Sequence, residues 1–163
     1  MAIIRVGAPT EAELKSRKEA LDDAIAATRA AIAEGIVPGG GLALVRATDA
    51  LEREEAACDG DERPVVRILR HALEVPTRAI AENSAVDAGV VVGELRRGTG
   101  AWGFDAARNV YCDLLEAGIV DPTKVVRTAL ENAVSVAGTL LLTEATLTDV
   151  PEEHVTKPES ALV

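Results

Sequence analysis

Gly35-Ile-Val-Pro-Gly-Gly-Gly-Leu-Ala-Leu44 and Gly118-Ile-Val-Asp-Pro-Thr-Lys-Val125 are the two stretches from which the fold is read. Each joins a backbone-exposing turn to the start of a helix, and the first carries three adjacent glycines, Gly39 to Gly41. With no Cβ in the way, such a turn brings bare amide N–H groups close to a ligand, and a helix start adds partial positive charge for an anion. Two readings fit these residues: one wall of a nucleotide pocket, or a plain helix-to-helix connection that needs glycine for its own geometry.

The rest of the composition narrows the partners. A chain of 163 residues with 48% apolar content is long and apolar enough for one ordinary domain with a sizeable core. Seventeen basic against 27 acidic residues, a net charge of -10, argue against nucleic acid or an anionic membrane as the main partner, so phosphate would be met by amides and a metal ion more than by a basic patch. Cys58 and Cys112 stand far apart and outside any C-x-x-C pattern, which points to neither a zinc site nor a disulfide framework and suits a reducing cytosol. The longest apolar run, Ala133 to Leu142, falls short of the ~20 residues that span a bilayer, so a soluble cytoplasmic protein is expected. Aromatic residues make up 2%, with Trp102, Phe104 and Tyr111 crowded together, so Ala, Val, Leu and Ile must build the core.

Along the chain, Ala2 to Gly7 is β-branched and reads as a short strand. Thr10 with Glu13 forms a capping box that opens a long helix over Glu11 to Glu34, whose stripe Leu14, Leu21, Ile25 and Ile32 keeps to one face. Ala26, Ala27 and Ala30 line the opposite face, so the far end is expected to be covered on two sides, and Gly35 closes the helix. Further helices are predicted over Leu42 to Glu54, Pro64 to Glu74 with a bend or break at Pro76, Asp87 to Arg97 and Ala106 to Glu116. Ala101 to Phe104 reads as a short strand. Asp121 caps a final helix running from Pro122 to about Leu142, apolar nearly all round from Ala129 and therefore expected at the centre of the core. Thr143 to Asp149 reads as a last strand and Pro151 to Val163 as a polar tail. The fold class is mainly α, with a few short peripheral strands.

Asp23 is the acid singled out. It lies opposite the apolar stripe, and its neighbours three, four and seven residues on are Ala26, Ala27 and Ala30, so its carboxylate can come close to a ligand; the competing reading is a solvated Asp22–Asp23 pair. Asp121 can cap a helix and also accept hydrogen bonds from sugar hydroxyls. Asp105-Ala-Ala107 puts small residues where a flat base could rest, or is an ordinary helix cap. Neither a G-x-S-x-G nor a G-x-x-x-x-G-K-[ST] pattern occurs, and His71 has no second ligand at metal-binding spacing.

Six stretches together resemble the carboxy-terminal part of a group I, GroEL-type chaperonin. They are Ile4-Arg-Val-Gly-Ala-Pro-Thr-Glu11, Asp22-Asp-Ala-Ile-Ala-Ala-Thr-Arg-Ala-Ala31, Glu34 to Leu44, Gly103-Phe-Asp-Ala-Ala107, Gly118 to Val125, and Ser135-Val-Ala-Gly138 followed by Thr143-Glu144, in the family's order. The resemblance implies an intermediate-domain strand and helix over 1–35, the second half of the helical, ATP-binding equatorial domain over 36–150, and a tail over 151–163. It carries Asp23 onto the acid that helps activate water for ATP hydrolysis once the intermediate domain closes. It puts Gly40 on the glycine whose backbone contacts the nucleotide, Asp105, Ala106 and Ala107 on the base-contacting segment, Ile119 on an apolar wall and Asp121 on the ribose-binding acid. ATP with Mg²⁺ is the cofactor so implied, and ATP or ADP, further copies or other chaperonin subunits, unfolded clients and a co-chaperonin are the partners.

Two substitutions and one absence depart from the pattern. Asp105 stands where the family commonly has Asn, and Pro38 where it usually has Ala, which stiffens the turn. The family's Asp-Gly-Thr-Thr-Thr phosphate loop, its magnesium-binding acid and the apical domain that holds clients are not in this sequence. The expectation is a fragment or truncated homologue of an ATP-dependent folding machine with about half of an ATP site and no efficient ATPase of its own. The rival expectation is a non-catalytic helical scaffold that kept the fold.

Overall fold

A computed structural model describes residues 3–148. Five helices and four short strands follow one another within it: α1 Glu11–Glu34, β1 Ile36–Pro38, α2 Leu42–Ala57, α3 Glu62–Asn83, α4 Ala88–Arg97, β2 Trp102–Asp105, β3 Val110–Asp113, β4 Val120–Pro122 and α5 Thr123–Leu141. The strands form two antiparallel pairs, β1 with β4 and β2 with β3. The chain divides into a unit over Met1–Ala129 and a second over Leu130–Val163.

Local chemistry accounts for most element ends. Thr10 accepts the Glu13 amide at 3.3 Å and caps α1, while the Glu13 carboxylate turns to Arg17 at 2.6 Å and does not complete the capping box. Gly35 closes α1 with φ 80° and donates to the Ala31 carbonyl. Asp87 caps α4 through the amides of Gly89 at 2.7 Å and Val90 at 3.0 Å. At the end of α3, Ala85 takes φ 58°, a left-handed conformation that its Cβ disfavours, so that the Val86 amide can reach the Ala81 carbonyl at 3.0 Å.

The core lies among α2, α3, α4 and the β2–β3 hairpin. Leu42 and Val45 of α2 meet Ala81, Ala88, Val91 and Leu95, and Phe104 and Leu114 complete the cluster. The Phe104 and Tyr111 rings stand 5.4 Å apart at a tilt of 51°. Arg46 of α2 donates to the carbonyls of Leu95, Gly100 and Trp102, satisfying the exposed end of α4 and fastening it to β2. Glu74, 1% exposed, is the one carboxylate deep in α3; Arg78 and Arg96 both bind it, which joins α3 to α4.

Several expectations are corrected. Residues 3–7 form no strand, because nothing among the described residues offers them a ladder. α3 runs unbroken through Pro76, because its fixed φ is helical and tertiary contacts hold the turn. α2 extends to Ala57. Residues 106–116 form a turn, the strand β3 and a second turn instead of a helix. The Asp105 carboxylate takes the Ala107 and Arg108 amides at 3.0 and 3.2 Å, and Asn109 follows at φ 55°, which reverses the chain.

The largest correction concerns burial. α5 is not the centre of the core: every described residue from Glu131 to Thr148 is exposed, and Leu140, Leu141 and Leu142 are 63%, 87% and 86% exposed. Apolar character sets a preference to leave water, but cover must come from another element. Residues 143–148 form no strand, and Asp149 and the expected tail lie outside the described residues. At the far end of α1, Ile25, Ala27, Ala30 and Ala31 are half-buried while Ala26 and Ile32 are exposed, Ile32 to 81%, so each side is covered only in part.

Two measurements check this account. Ala85→Gly, although it loosens the unfolded chain, should raise stability by about 0.5–1 kcal/mol in urea titration, because glycine removes the left-handed strain. Glu74→Ala should cost about 2–4 kcal/mol by the same titration, since it strands two arginines at a buried junction; a loss below about 0.5 kcal/mol would show the triad to be incidental.

Candidate functional site

The site is assembled by the pairing of β1 with β4, in which Ile36, Val37 and Pro38 face Pro122, Asp121 and Val120. One residue beyond the ladder, the Gly39 amide donates to the Ile119 carbonyl at 2.9 Å. A Cβ at Gly39 would lie 3.2 Å from that same oxygen and 3.3 Å from the Ile119 side chain, so the two segments touch at backbone distance. Gly40 and Gly41 then turn the chain with φ 65° and 77°, both left-handed, and Gly41 starts α2. Their own N–H groups bond to nothing among the described residues, as the first amides of a helix do.

Around this turn the structure brings together most of the residues singled out from the sequence. Gly40 borders the Phe104 carbonyl: a Cβ there would stand 3.8 Å from it, and nothing lies closer. Asp105 follows in β2, 4% exposed, with its carboxylate committed to the turn amides and to Arg108 at 3.8 Å. Ala106 is half-buried against the core and Ala107 is exposed. Ile119 is half-buried and packs on the same core. Asp121, half-buried, is opposite Val37 in the ladder; it lies in β4 and is not the cap of α5, which begins at Thr123. Among the described residues its carboxylate has no hydrogen-bonding or ionic partner.

Asp23 is the exception. It is exposed on α1, twelve residues before Gly35. At the helical rise this sets it ~18 Å along the axis from the point where α1 meets the β1–β4 ladder. It does share a helix face with Ala27 and Ala30, the half-buried row at the covered end. That end is tied down: the Thr123 amide donates to the Gly35 carbonyl at 3.1 Å, and Arg127 grips Glu34 through two nitrogens at 2.7 and 3.0 Å. The Arg127 guanidinium holds the Glu34 carboxyl below the usual carboxylate range. This tie is therefore complete at neutral pH and is lost as pH falls through that lowered value.

Sequence reasoning missed one neighbour of the turn. Thr77, 2% exposed in the middle of α3, donates from its hydroxyl to the Gly40 carbonyl at 3.2 Å. The signal available was a threonine directly after Pro76, one turn on from Glu74 in the same helix. No three His, Cys, Asp or Glu side chains come together to hold a metal ion among the described residues. Nor is any helix there long and apolar enough to cross a membrane.

Comparison with known proteins follows the same lines. Residues 1–151 match the TCP-1/cpn60 chaperonin family. Chaperonin GroEL 5 of Bradyrhizobium diazoefficiens is 67% identical over 99% of this chain, which covers 30% of that relative. Chaperonin GroEL 1 of Rhodopirellula baltica is 54% identical over 94% of the chain, covering 27% of the relative. The crystal structure of a group III chaperonin in the open state is similar with a TM-score of 0.79 at 29% identity, over 87% of this chain and 30% of that one. The chain spans under a third of the length of these relatives, and it belongs to the TCP-1/cpn60 chaperonin family.

Proposed function

We propose that this chain supplies one wall of an adenine-nucleotide site in an ATP-driven protein-folding chaperonin. In this reading residues 1–35 belong to an intermediate domain and 36–150 to the second half of an equatorial domain. The observation that carries it is the meeting of three distant segments, Gly39–Gly41, Phe104–Ala107 and Ile119–Asp121, around one turn. The residues fit a nucleoside phosphate. Two unpartnered amides at a helix start suit a phosphate oxygen, Ile119 and Ala106 offer apolar surface for a base, and Asp121 has a free carboxylate for ribose hydroxyls. Asp105 can only accept, and its acceptor atoms are largely engaged, so its contribution to base contact passes through the shape of the 106–109 turn.

The described residues do not fit Mg²⁺, since no ligand cluster is present, and no step is assigned to it. The chemistry left to this chain is binding and orientation. Asp23 can act on a nucleophilic water only if α1 carries it toward the nucleotide, a movement about the Gly35 end of the helix. Clients, a co-chaperonin and ring partners belong to the full-length relatives' architecture and are proposed here only as the setting in which the site works.

Calorimetric titration of the purified chain should give weak, saturable ADP and ATP binding, reduced about tenfold or more in Asp121→Ala through loss of a charged hydrogen bond. A folded chain with no saturable signal would favour the scaffold reading. Mg-dependent ATP turnover should be absent for the chain alone; robust hydrolysis that disappears in Asp23→Ala would refute the half-site. Turnover should return on mixing with a protein carrying the remaining part of a full-length relative, and silence in a confirmed complex would count against complementation.

A further inference from the structure

We infer that Thr77 is a positioning residue for the glycine turn, setting through its hydroxyl how the Gly41 amide is presented to a nucleotide; this rests on the nucleotide reading above. A threonine inside a helix ordinarily turns its hydroxyl back to the carbonyl four residues earlier. Thr28 and Thr139 do so, bonding Ala24 and Ser135 at 2.7 and 3.0 Å, and Thr48 turns back three residues to Val45 at 2.6 Å. Thr77 instead reaches a residue 37 positions away, the Gly40 carbonyl, at 3.2 Å.

The contact is as close as two chain segments permit. A Cβ built on Gly41 would lie 2.4 Å from the Thr77 hydroxyl oxygen and 3.0 Å from its backbone nitrogen, so any side chain at 41 would expel α3. The peptide between Gly40 and Gly41 therefore has its carbonyl held by Thr77 on one side while its N–H, on Gly41, points away unpartnered. Because the peptide unit is planar, fixing the direction of the Gly40 carbonyl fixes the direction of the Gly41 N–H. Two glycines with left-handed φ have many other conformations open to them, and a buried hydroxyl is the one side-chain group in the described structure that selects among these by a directed bond.

Thr77 is itself well anchored. Glu74 sits one turn earlier on α3, clamped by Arg78 and Arg96, and Pro76 fixes the backbone immediately before it. A hydroxyl on a rigid helix thus orients a flexible turn.

The test uses the full chain with ADP as the probe, in wild type, Thr77→Val and Thr77→Ser, with Val92→Ala as a destabilising control at a buried position of α4. Thr77→Val keeps the buried shape but removes the donor, and Thr77→Ala serves if Val does not fold. ADP affinity should fall about three- to tenfold in Thr77→Val and stay within about twofold of wild type in Thr77→Ser, as a single hydrogen bond implies. Val92→Ala should melt earlier yet bind ADP normally. Amide hydrogen exchange at Gly39 and Leu42, the two hydrogen-bonded amides of the turn, should quicken in the Val variant beyond what its loss of global stability accounts for, and in Val92→Ala only by that amount. Wild-type binding with equal affinity in Thr77→Val, or a loss in Val92→Ala of the same size, overturns the positioning role. If wild type binds no ADP, the nucleotide reading has failed and the positioning role falls with it, a result distinct from binding that ignores Thr77.

Discussion

The pairing of residues 36–38 with residues 120–122 is the constraint on which the site depends. It closes a loop of more than eighty residues, and such closure costs conformational entropy that a three-residue ladder alone cannot offset. The core beneath supplies the rest: Leu42 comes just after β1, Leu114 and Ile119 come shortly before β4, and all three pack in or on the same cluster. Because the ladder ends in the Gly39–Ile119 contact at backbone distance, the glycine turn has no freedom to drift from Asp121. Site and core are thus one construction, and a substitution that loosens the ladder should disturb both.

The same ladder roots α1. Gly35 ends the helix and its carbonyl takes the first amide of α5, while Arg127 of α5 holds Glu34. The rest of α1 has no buried residue at all. A long helix fixed at one end by a few polar contacts, with a positive-φ glycine at its base, is mechanically a lever. Asp23 stands exposed ~18 Å along the axis from that root.

How much of this was legible in the sequence varied with the range of the forces involved. Helix α1 is legible to the residue because Thr10 and Gly35 act within a few positions of themselves, while α4 is legible to within one residue, Asp87 being its cap and not its first helical residue. Of the candidate site residues that the family pattern implies, Gly40, Ile119 and Asp121 meet at the ladder and its turn, β2 with Asp105 borders the turn through the Phe104 carbonyl, and Asp23 stands apart. What failed was of two kinds. The segment after Asp105 carries helix-forming alanines, but its first carboxylate satisfies two successive amides and turns the chain, so a local cap was assigned to the wrong structure. The β1–β4 pair and the exposure of α5 were invisible for a different reason: both depend on which distant element is present to pair or to cover, and neither β-propensity nor apolar content carries that information.

Thr77 shows where physical detail adds to pattern. Glycines advertise a turn in any sequence, but the residue that selects one conformation of that turn can lie on another helix and belong to no motif. Here the three features that matter, a left-handed Gly40, a Gly41 with no room for a Cβ and a hydroxyl 37 residues away, are meaningful only together. Backbone freedom lets the turn approach a ligand, and the same freedom would blur its amides unless something rigid held one carbonyl. A preorganised turn needs both the glycines and their clamp, so binding geometry at this site is a property of α3 as much as of the loop that would touch the phosphate.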